Sequence, residues 1–259
     1  MNPEILAKQT CAIALSAGQV IMEIYRSDEF EVDFKQDSSP LTRADLAAHR
    51  VIAEGLSNVY PHLPLLSEES EAMDRTRRKD WSHFWLIDPL DGTKEFIKRN
   101  GEFTVNIAFI ENGNPVMGVV YAPALDQLYW GYGSKAWLKE GSETPRPIHV
   151  TRDVDPGVPL KVVASRSHRS AEMERFLANL PPHECLAMGS SLKLCLVAEG
   201  KAHLYPRIGP TMEWDTAAAD AIVRAAGGTV TNLDGMPLVY NKADLHNPFF
   251  LVRCQAPGI

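Results

Sequence analysis

Cysteine is scarce in this sequence, and the few cysteines are far apart. The 259 residues include four, namely Cys11, Cys185, Cys195 and Cys254. Without a C-x-x-C pair, neither a zinc site nor a disulfide framework is indicated. The pattern suits a reducing compartment, so we expect a cytoplasmic protein.

Long apolar runs are missing as well. No stretch approaches the ~20 apolar residues of a membrane-spanning helix. The first residues, Met-Asn-Pro-Glu-Ile-Leu-Ala-Lys, lack the basic and apolar segments of a leader peptide. We therefore expect no transmembrane segment, although peripheral association with the cytoplasmic face of the inner membrane would leave no such mark.

Basic residues are outnumbered by acidic ones. Lys and Arg total 26 against 33 Asp and Glu, which gives a net charge of −7 and argues against nucleic-acid binding. An anionic substrate would therefore need local positive charge, and bound divalent cations are an obvious source. Hydrophobic residues make up 45% of the chain, as in ordinary globular proteins.

Apolar residues at helical spacing predict two helices at the start of the chain. One covers Pro3 to about Arg26, and the other covers residues 43–58 after an N-cap at Thr42. From residue 104 to 131 the pattern changes to short strand-like segments separated by turn signals. Connections this short favour antiparallel pairing.

A segment rich in Pro, Gly, Ser and Thr, residues 140–159, is the candidate crossing between two halves. Beyond it, strands and helices alternate, and the last predicted helix, residues 216–226, is closed by two glycines. We predict an N-terminal α+β domain with an antiparallel sheet, residues 1–155. A C-terminal α/β domain with a mixed sheet, residues 156–259, would follow.

The most informative segment is residues 85–97. An apolar strand runs into Asp88 and Asp91, and Gly92-Thr93 then opens a helix. The two carboxylates, with a backbone carbonyl from the turn at Pro89-Leu90, are the hard oxygen ligands that Mg²⁺ prefers. The N–H groups of the Gly-Thr pair would face an anion at the helix start. The segment therefore predicts metal ions beside a phosphate.

A Mg²⁺ site of this kind needs further carboxylates. Glu68 and Glu69 follow a strand-like Leu65-Leu66 pair, and Asp215 stands before the helix at 216–226. Each also has a simpler interpretation. Asp215 could be an N-cap, and the two glutamates could be a solvated charge pair.

Two other acidic motifs fit less well. Phosphatases of the haloacid dehalogenase type use Asp-x-Asp-Gly-Thr near the N-terminus, but in this chain the acids are three residues apart and two predicted helices precede them. An EF-hand would need an acid at the end of its twelve-residue loop, where this sequence has none.

Asp88–Thr93 and Trp214–Ala219 resemble the two signatures of the inositol monophosphatase superfamily, which comprises Mg²⁺-dependent, lithium-sensitive phosphatases. The resemblance covers essentially the whole chain and implies a layered αβαβα sandwich. Within the superfamily, Lys94–Ala108, Ser165–His168 and Gly189–Lys193 look like the bacterial 3′(2′),5′-bisphosphate nucleotidases.

The resemblance implies a role for each motif residue. The metal ligands for two or three Mg²⁺ ions would be Glu68, Asp88, Asp91 and Asp215, with the carbonyl of Leu90. Asp45 and Thr93 match the pair that activates water, and Glu68 is counted with them as catalytic. Asp45 could instead be the N3 acid of a capping box begun by Thr42, and the two roles could compete.

The nucleotide positions follow from the same resemblance. Residues matching those that hold adenosine and its 5′-phosphate are His168, Ser190, Lys193 and Arg207. The 3′-phosphate would lie among Glu68, Leu90, Asp91, Gly92, Thr93 and Asp215. A Lys and an Arg near a helix N-terminus suit a second phosphate, whereas a lone histidine such as His168 is more often a surface residue.

The implied reaction is hydrolysis of 3′-phosphoadenosine 5′-phosphate (PAP) to AMP and phosphate, and of its sulfated form (PAPS) to APS. Metal-activated water would be the nucleophile, as in the recycling of PAP during sulfate assimilation. An inositol monophosphatase, a fructose-1,6-bisphosphatase and a non-catalytic PAP sensor are the alternatives. The expected partner is a small nucleotide and no nucleic acid, and the expected state is a monomer, with a homodimer left open.

Overall fold

The computed structural model of the protein describes residues 2–27, 32–34, 40–70, 77–155, 157–164 and 170–255. The helices are α1 (Pro3–Arg26), α2 (Arg43–Val59), α3 (Thr93–Ile97), α4 (Ala171–Ala178), α5 (Leu192–Ala198) and α6 (Glu213–Ala225). The strands are β1 (Val32–Phe34), β2 (Pro40–Thr42), β3 (Leu65–Ser67), β4 (His83–Asp91), β5 (Thr104–Glu111), β6 (Asn114–Ala122), β7 (Gln127–Tyr132), β8 (Lys135–Glu140), β9 (Arg146–Ile148), β10 (Leu160–Ala164), β11 (His183–Ala187), β12 (Leu204–Arg207), β13 (Thr229–Asn232) and β14 (Phe250–Arg253).

Two sheets carry the fold, beside a small β1–β2 ladder. The larger sheet has the order β3-β4-β5-β6-β7-β8-β9 and is antiparallel except at its edge, where β3 runs parallel to β4. The smaller sheet has the order β11-β10-β12-β14-β13, with parallel pairs at one end and antiparallel pairs at the other. The predicted pair of an antiparallel and a mixed sheet is therefore confirmed, apart from the β3–β4 pair.

One face of the larger sheet is covered by α1 and α2. α1 begins where the Asn2 side chain accepts a hydrogen bond from Glu4 N over 2.9 Å, which satisfies one of the unpaired N–H groups of the first turn. Its buried side chains pack with those of α2 on inward-facing residues of the strands, such as Ile107 and Val119. The alternation of the strands sends their other side chains to the opposite face.

That opposite face packs on α5 and α6, which separate the two sheets. Ala108 and Val120 of the larger sheet, Ala218 and Ile222 of α6, and Val252 of the smaller sheet belong to one buried cluster. On the far face of the smaller sheet, apolar side chains of α4 pack on β10 and β12. The layers are thus helix, sheet, helix, sheet, helix, and the predicted αβαβα sandwich is confirmed.

Three details differ from the sequence-based expectations. The segment 140–159 contains β9, an edge strand of the larger sheet. Pro147 is compatible with this strand because a residue at a sheet edge need not donate an N–H group. β11 is not predicted by the sequence, since its side chains are mostly exposed and do not alternate. Leu46 is one of the apolar residues whose helical spacing predicts a buried stripe on α2, but it is 40% exposed. The division into domains at residues 155 and 156 stays a prediction.

Among the described helices, α1 has the length and mean hydropathy that a membrane span would need. No such segment is expected from the sequence. In the fold, however, the buried side chains of α1 contact the larger sheet, as those of a core helix do.

α6 lies unusually close to the larger sheet because β6 has a glycine beneath it. A Cβ atom added to Gly118 would overlap the carbonyl oxygen of Ala218 and lie 2.8 Å from its carbonyl carbon. Gly131 on β7 is similar, since its added Cβ would lie 3.0 Å from the Cα of Ile222. Two strand positions without side chains thus set the depth of α6, and with it the position of Asp215 in its first turn.

Gly118→Ala is therefore expected to destabilise the protein by about 3 kcal/mol, the upper range of overpacking costs, because the obstacle is helix backbone. Chemical denaturation measures the change. Gly209→Ala is the control, since the nearest heavy atoms to its added Cβ are 3.9 Å away, and it should leave the free energy of unfolding nearly unchanged. Equal stability of the two variants would contradict the close packing of α6.

Candidate functional site

The end of β4 brings Asp88 and Asp91 to one cavity. Residues three apart in a regular strand face opposite sides of a sheet. The pairing of β4 with β5, however, shifts register between these two residues, as at a β-bulge. Both carboxylates therefore line the same cavity. A tight turn is predicted at Pro89-Leu90, but the strand continues through these residues to Asp91.

Gly92 changes the direction of the chain after Asp91. Its φ is 92°, in the left-handed region that glycine adopts readily, and it is the N-cap of α3. A Cβ atom at this position would also lie 3.1 Å from the carbonyl oxygen of Glu102. The glycine therefore allows Thr93 to start a helix immediately beside the two aspartates.

We call the space in front of this turn the acid cavity. It has a volume of about 430 Å³. Its lining includes the predicted site residues Glu68, Asp88, Leu90, Asp91, Gly92, Thr93 and Asp215. The structure thus brings together all of the residues that the resemblance assigns to the metal ions and the 3′-phosphate.

Glu68 reaches the cavity because β3 runs parallel to β4. Its backbone N–H donates to the carbonyl of Ile87 over 3.2 Å, which extends the pairing of the two strands towards Asp88. The preceding Ser67 is fully buried. Its hydroxyl lies 2.9 Å from Nδ1 of His49 and accepts from the N–H of Glu69 over 3.1 Å. This network fixes the turn that presents Glu68.

Asp215 comes from the opposite side of the cavity, in the first turn of α6. The sequence predicts Asp215 just before the helix as a possible N-cap, but the helix begins at Glu213 and Met212 is the N-cap. Asp215 Oδ2 accepts from the N–H of Met212 over 2.9 Å. Capping therefore occupies one carboxylate oxygen and leaves the other available to the cavity.

Burial and mutual repulsion govern the electrostatics of the acid cavity. The pKa of Asp215 is raised to about 8 by burial and then by the charge of Asp91. Burial also raises the pKa of Asp91 to about 6, although Lys193 and the N–H of Ser191 oppose the shift. The pKa of Asp88 is raised well above its usual value by burial and by the charges of Glu68, Asp91 and Asp215. Without positive charge in the cavity, ionised carboxylates at these positions destabilise one another.

This donor set fits a hard divalent cation. The cavity offers carboxylate oxygens and a backbone carbonyl, the ligands that Mg²⁺ prefers. A cation would offset both the burial of these charges and the repulsion among them, which together raise the pKa values. Within the described part of the chain, no three acid, histidine or cysteine side chains already surround a single point closely enough to hold an ion. The acids share a cavity rather than a ready-made cage.

The two carboxylate oxygens of Asp45 contact different partners, one for each of the roles that the sequence suggests. Its Oδ2 accepts from Thr42 N over 2.8 Å and from Thr42 Oγ1 over 2.5 Å, which completes a capping box at the start of α2. Its Oδ1 lies 3.4 Å from Thr93 Oγ1. Burial raises the pKa of Asp45 to about 6 against the hydrogen bonds from Thr42. The two roles therefore do not exclude each other.

A second, larger space adjoins the acid cavity, and we call it the basic cavity. Its volume is about 1000 Å³. Ser190, Lys193 and Arg207 line it, and Asp91 and Gly92 line both cavities. Burial lowers the pKa of Lys193, while the neighbouring Asp91 raises it. The region that contains Lys193 and Arg207 thus begins where the acid cavity ends.

Local geometry positions these cations. Ser190 has a φ of 46° and is almost fully buried, and this left-handed residue turns the chain into α5, where Lys193 lies in the first turn. Lys193 Nζ is 5.8 Å from the ring centroid of Tyr205, close enough for a cation–π interaction. Arg207 donates to the carbonyl of Pro210 over 2.7 Å.

One predicted site residue, His168, lies outside the described residues. The structure also adds residues that the sequence analysis did not select. His246, whose Nδ1 lies 2.7 Å from Asp244 Oδ1, lines the acid cavity, and Glu95 lines both cavities. Glu95 comes two residues after the Asp88–Thr93 motif, so its position next to that motif is a signal that could have identified it. His246 belongs to a loop without any motif.

The sequence matches the model of the inositol monophosphatase family over residues 2–249. It is 51% identical over 249 residues to the 3′(2′),5′-bisphosphate nucleotidase CysQ of Salmonella typhimurium, which covers 95% of this chain and 99% of that protein. The corresponding protein of Escherichia coli K12 is 50% identical over 246 residues, covering 94% of this chain and 98% of the relative.

A solved structure gives the same result. The crystal structure of CysQ from Bacteroides thetaiotaomicron, described as a bacterial member of the inositol monophosphatase family, superposes with a TM-score of 0.84 at 44% identity and covers 96% of this chain and 97% of the other. The resemblance inferred from the motifs is confirmed: the chain belongs to the inositol monophosphatase family.

Proposed function

We propose that the protein is a Mg²⁺-dependent phosphatase that hydrolyses the 3′-phosphate of PAP to give AMP, and that of PAPS to give APS. The observation that carries the proposal is the pair of cavities meeting at Asp91 and Gly92. One supplies the carboxylates for metal ions, and the other supplies Lys193 and Arg207 for a second phosphate. The relatives named above as 3′(2′),5′-bisphosphate nucleotidases support the same enzyme class and substrate.

The residues that would hold two or three Mg²⁺ ions are Glu68, Asp88, Asp91 and Asp215, with the carbonyl of Leu90. When bound, the ions would neutralise charge on the phosphoryl oxygens and lower the pKa of a water molecule. The N–H groups of Gly92 and Thr93 would bind phosphoryl oxygens at the start of α3. The chain itself therefore contributes mainly position and charge.

The proton of the attacking water would pass towards Asp45 through Thr93. The Thr93 hydroxyl lies 3.4 Å from both Asp45 Oδ1 and the carbonyl of Leu90, so its single hydrogen is shared between two acceptors. Such distances commonly shorten when a substrate binds. With a pKa raised to about 6, Asp45 is a better proton acceptor than an ordinary aspartate.

The 5′-phosphate would bind in the basic cavity, to Lys193, Arg207 and the hydroxyl of Ser190. An Arg can donate two parallel hydrogen bonds to phosphate, and a Lys contributes a compact charge. The cavity is large enough for a nucleoside beside these groups. His168 stays a proposed adenosine contact on the strength of the resemblance alone.

The remaining proposals concern the cellular setting. We infer a monomeric, cytoplasmic enzyme that acts on a small nucleotide and on no nucleic acid, in agreement with the net charge of −7. A homodimer and peripheral membrane association remain alternatives. Inhibition by Li⁺ would follow from membership of the family.

The substrate assignment predicts the order of activity towards three phosphate esters. Phosphate release from PAP should exceed that from inositol 1-phosphate, which has no second phosphate for Lys193 and Arg207. It should also exceed that from fructose 1,6-bisphosphate, which has a second phosphate but no adenosine to occupy the basic cavity. Release should stop in EDTA, return with Mg²⁺ and fall with added Li⁺. A colorimetric phosphate assay measures all three substrates under identical conditions.

Each alternative function has its own outcome in this assay. A preference for inositol 1-phosphate or fructose 1,6-bisphosphate would replace the nucleotide assignment with one of the two related phosphatases. Tight binding of PAP by calorimetry without phosphate release at any Mg²⁺ concentration would identify a PAP sensor.

Asp91→Asn should separate catalysis from folding. We expect kcat to fall by several orders of magnitude because a charged metal ligand is lost, while the metal-free protein melts at the same or a higher temperature because one of the repelling buried charges is removed. Calorimetric melting with and without Mg²⁺ should show less stabilisation by the metal in the variant than in the wild type. An active, Mg²⁺-dependent Asp91→Asn enzyme would exclude the assignment of Asp91.

Lys193→Met should weaken recognition of the 5′-phosphate specifically. Hydrogen bonds to charged groups contribute about 1.5–3 kcal/mol, so kcat/KM for PAP should fall by about 10- to 100-fold. The matched substrate is 3′-AMP, which carries the scissile phosphate but no 5′-phosphate, and its kcat/KM should change much less. An equal loss for both substrates would place Lys193 at the reacting phosphate instead.

A further inference from the structure

Ser191 lies between the two cavities and contacts the larger sheet and Asp91 at once. Its backbone N–H donates to Asp91 Oδ2 over 2.6 Å. Its hydroxyl donates to Asn106 Oδ1 over 2.7 Å and lies 2.9 Å from Thr104 Oγ1. Because the one hydroxyl hydrogen goes to Asn106, Thr104 is the donor in the third contact.

All three side chains of this network are buried. Thr104 is 0% exposed, Asn106 1% and Ser191 2%. Thr104 and Asn106 are two residues apart on β5 and so face the same side of the sheet. In the register of β4 and β5 they lie opposite Asp91 and Asp88 respectively. The network therefore anchors the turn before α5 to the strand positions that face the two metal-binding aspartates.

The same turn presents the predicted nucleotide contacts. Ser190 precedes Ser191 directly, and Lys193 follows it in the first turn of α5. A movement of Ser191 away from β5 would shift both of these residues and also withdraw the N–H group from Asp91. The amide nitrogen of Asn106 has no hydrogen-bond partner among the described residues. An apolar residue would avoid this unpaired donor, so packing alone does not explain the choice of an amide.

We propose that Ser191 is a positioning residue that fixes Asp91 for metal binding and, through the same turn, fixes Ser190 and Lys193 for the nucleotide. The inference rests on the proposed function, because it assigns Ser191 a role in that reaction. Ser191 touches neither substrate nor metal in this assignment. It acts through its N–H on Asp91 and through its hydroxyl on β5.

The test is Ser191→Ala, with Mg²⁺ binding to the substrate-free protein measured by isothermal titration calorimetry. Groups that orient metal ligands typically change metal affinity by about 10- to 100-fold, so we expect the Kd for Mg²⁺ to rise by about tenfold. The KM for PAP should rise in the same variant, because Lys193 loses its fixed position. Thr104→Val should raise the same two constants. Thr104→Ser keeps the hydroxyl and should leave both at their wild-type values.

Thr10→Ala is the matched control. Thr10 is also fully buried, and its hydroxyl donates to the carbonyl of Leu6 over 2.8 Å within α1, on the far face of the larger sheet. It should lower the melting temperature without changing the Kd for Mg²⁺ or the KM for PAP. If Ser191→Ala and Thr104→Val likewise change only the melting temperature, Ser191 has a merely structural role and the inference is wrong.

The design distinguishes this failure from failure of the proposed function. Calorimetry of Mg²⁺ requires no substrate, so it tests the link from Ser191 to Asp91 by itself. A wild-type protein that binds Mg²⁺ but does not hydrolyse PAP would refute the proposed reaction. A wild-type protein that hydrolyses PAP, with variants that bind Mg²⁺ and PAP normally, would refute only the positioning role.

Discussion

Repulsion among buried carboxylates is the constraint on which this structure depends. Asp88, Asp91 and Asp215 are held in a cavity where burial and mutual charge raise the pKa of each. A chain that only had to fold would avoid such an arrangement, because ionised groups lose hydration there and repel one another. The fold therefore has to supply enough stability elsewhere to keep these groups in place. The middle layer of the sandwich provides that support, because α5 and α6 are packed against a sheet on each side.

The position of α6 connects this support to the site. Two glycines let the helix backbone lie directly on β6 and β7, so its depth is fixed by backbone rather than by adaptable side chains. Since interiors are close-packed and deform little, Asp215 is fixed as well. The bulge in β4 does the same for Asp88 and Asp91 from the other side of the cavity. The acids are thus contributed by rigid elements, which explains how like charges can be held together.

The sequence predicts the parts of this site that depend on short local patterns. Asp88 to Thr93 is contiguous, and both the strand before it and the helix after it follow from hydrophobic pattern and glycine. For Asp45 the sequence suggests two roles and does not decide between them. One carboxylate oxygen forms the capping box and the other contacts Thr93, which is 48 residues away in the chain. That division is a matter of three-dimensional geometry. The capping position of Asp215 could not be predicted either, since Met212 offers none of the usual N-cap chemistry.

Other features are invisible in the sequence because they depend on register between strands. Thr104 and Asn106 look like ordinary polar residues in a strand until β5 is paired with β4, when they lie opposite the two aspartates. Likewise, Pro147 argues against a strand until β9 is known to be at an edge. Local pattern therefore reveals the atoms that would perform the chemistry, and pairing reveals the atoms that hold them.

Asp91 lies where the proposed sites for the two phosphates of the substrate meet. It lines both cavities, and the charge of Lys193 opposes the rise in its pKa. Lys193 thus compensates part of the charge of Asp91. In the proposed complex, Mg²⁺ would take over that compensation and leave the ammonium for the 5′-phosphate. Metal and nucleotide would then favour each other's binding, as any two ligands do when each reduces the cost of the other. A substrate with a single phosphate would leave the partly buried Lys193 and Arg207 without a phosphate to bind, and this cost is a physical basis for selecting a nucleotide with two.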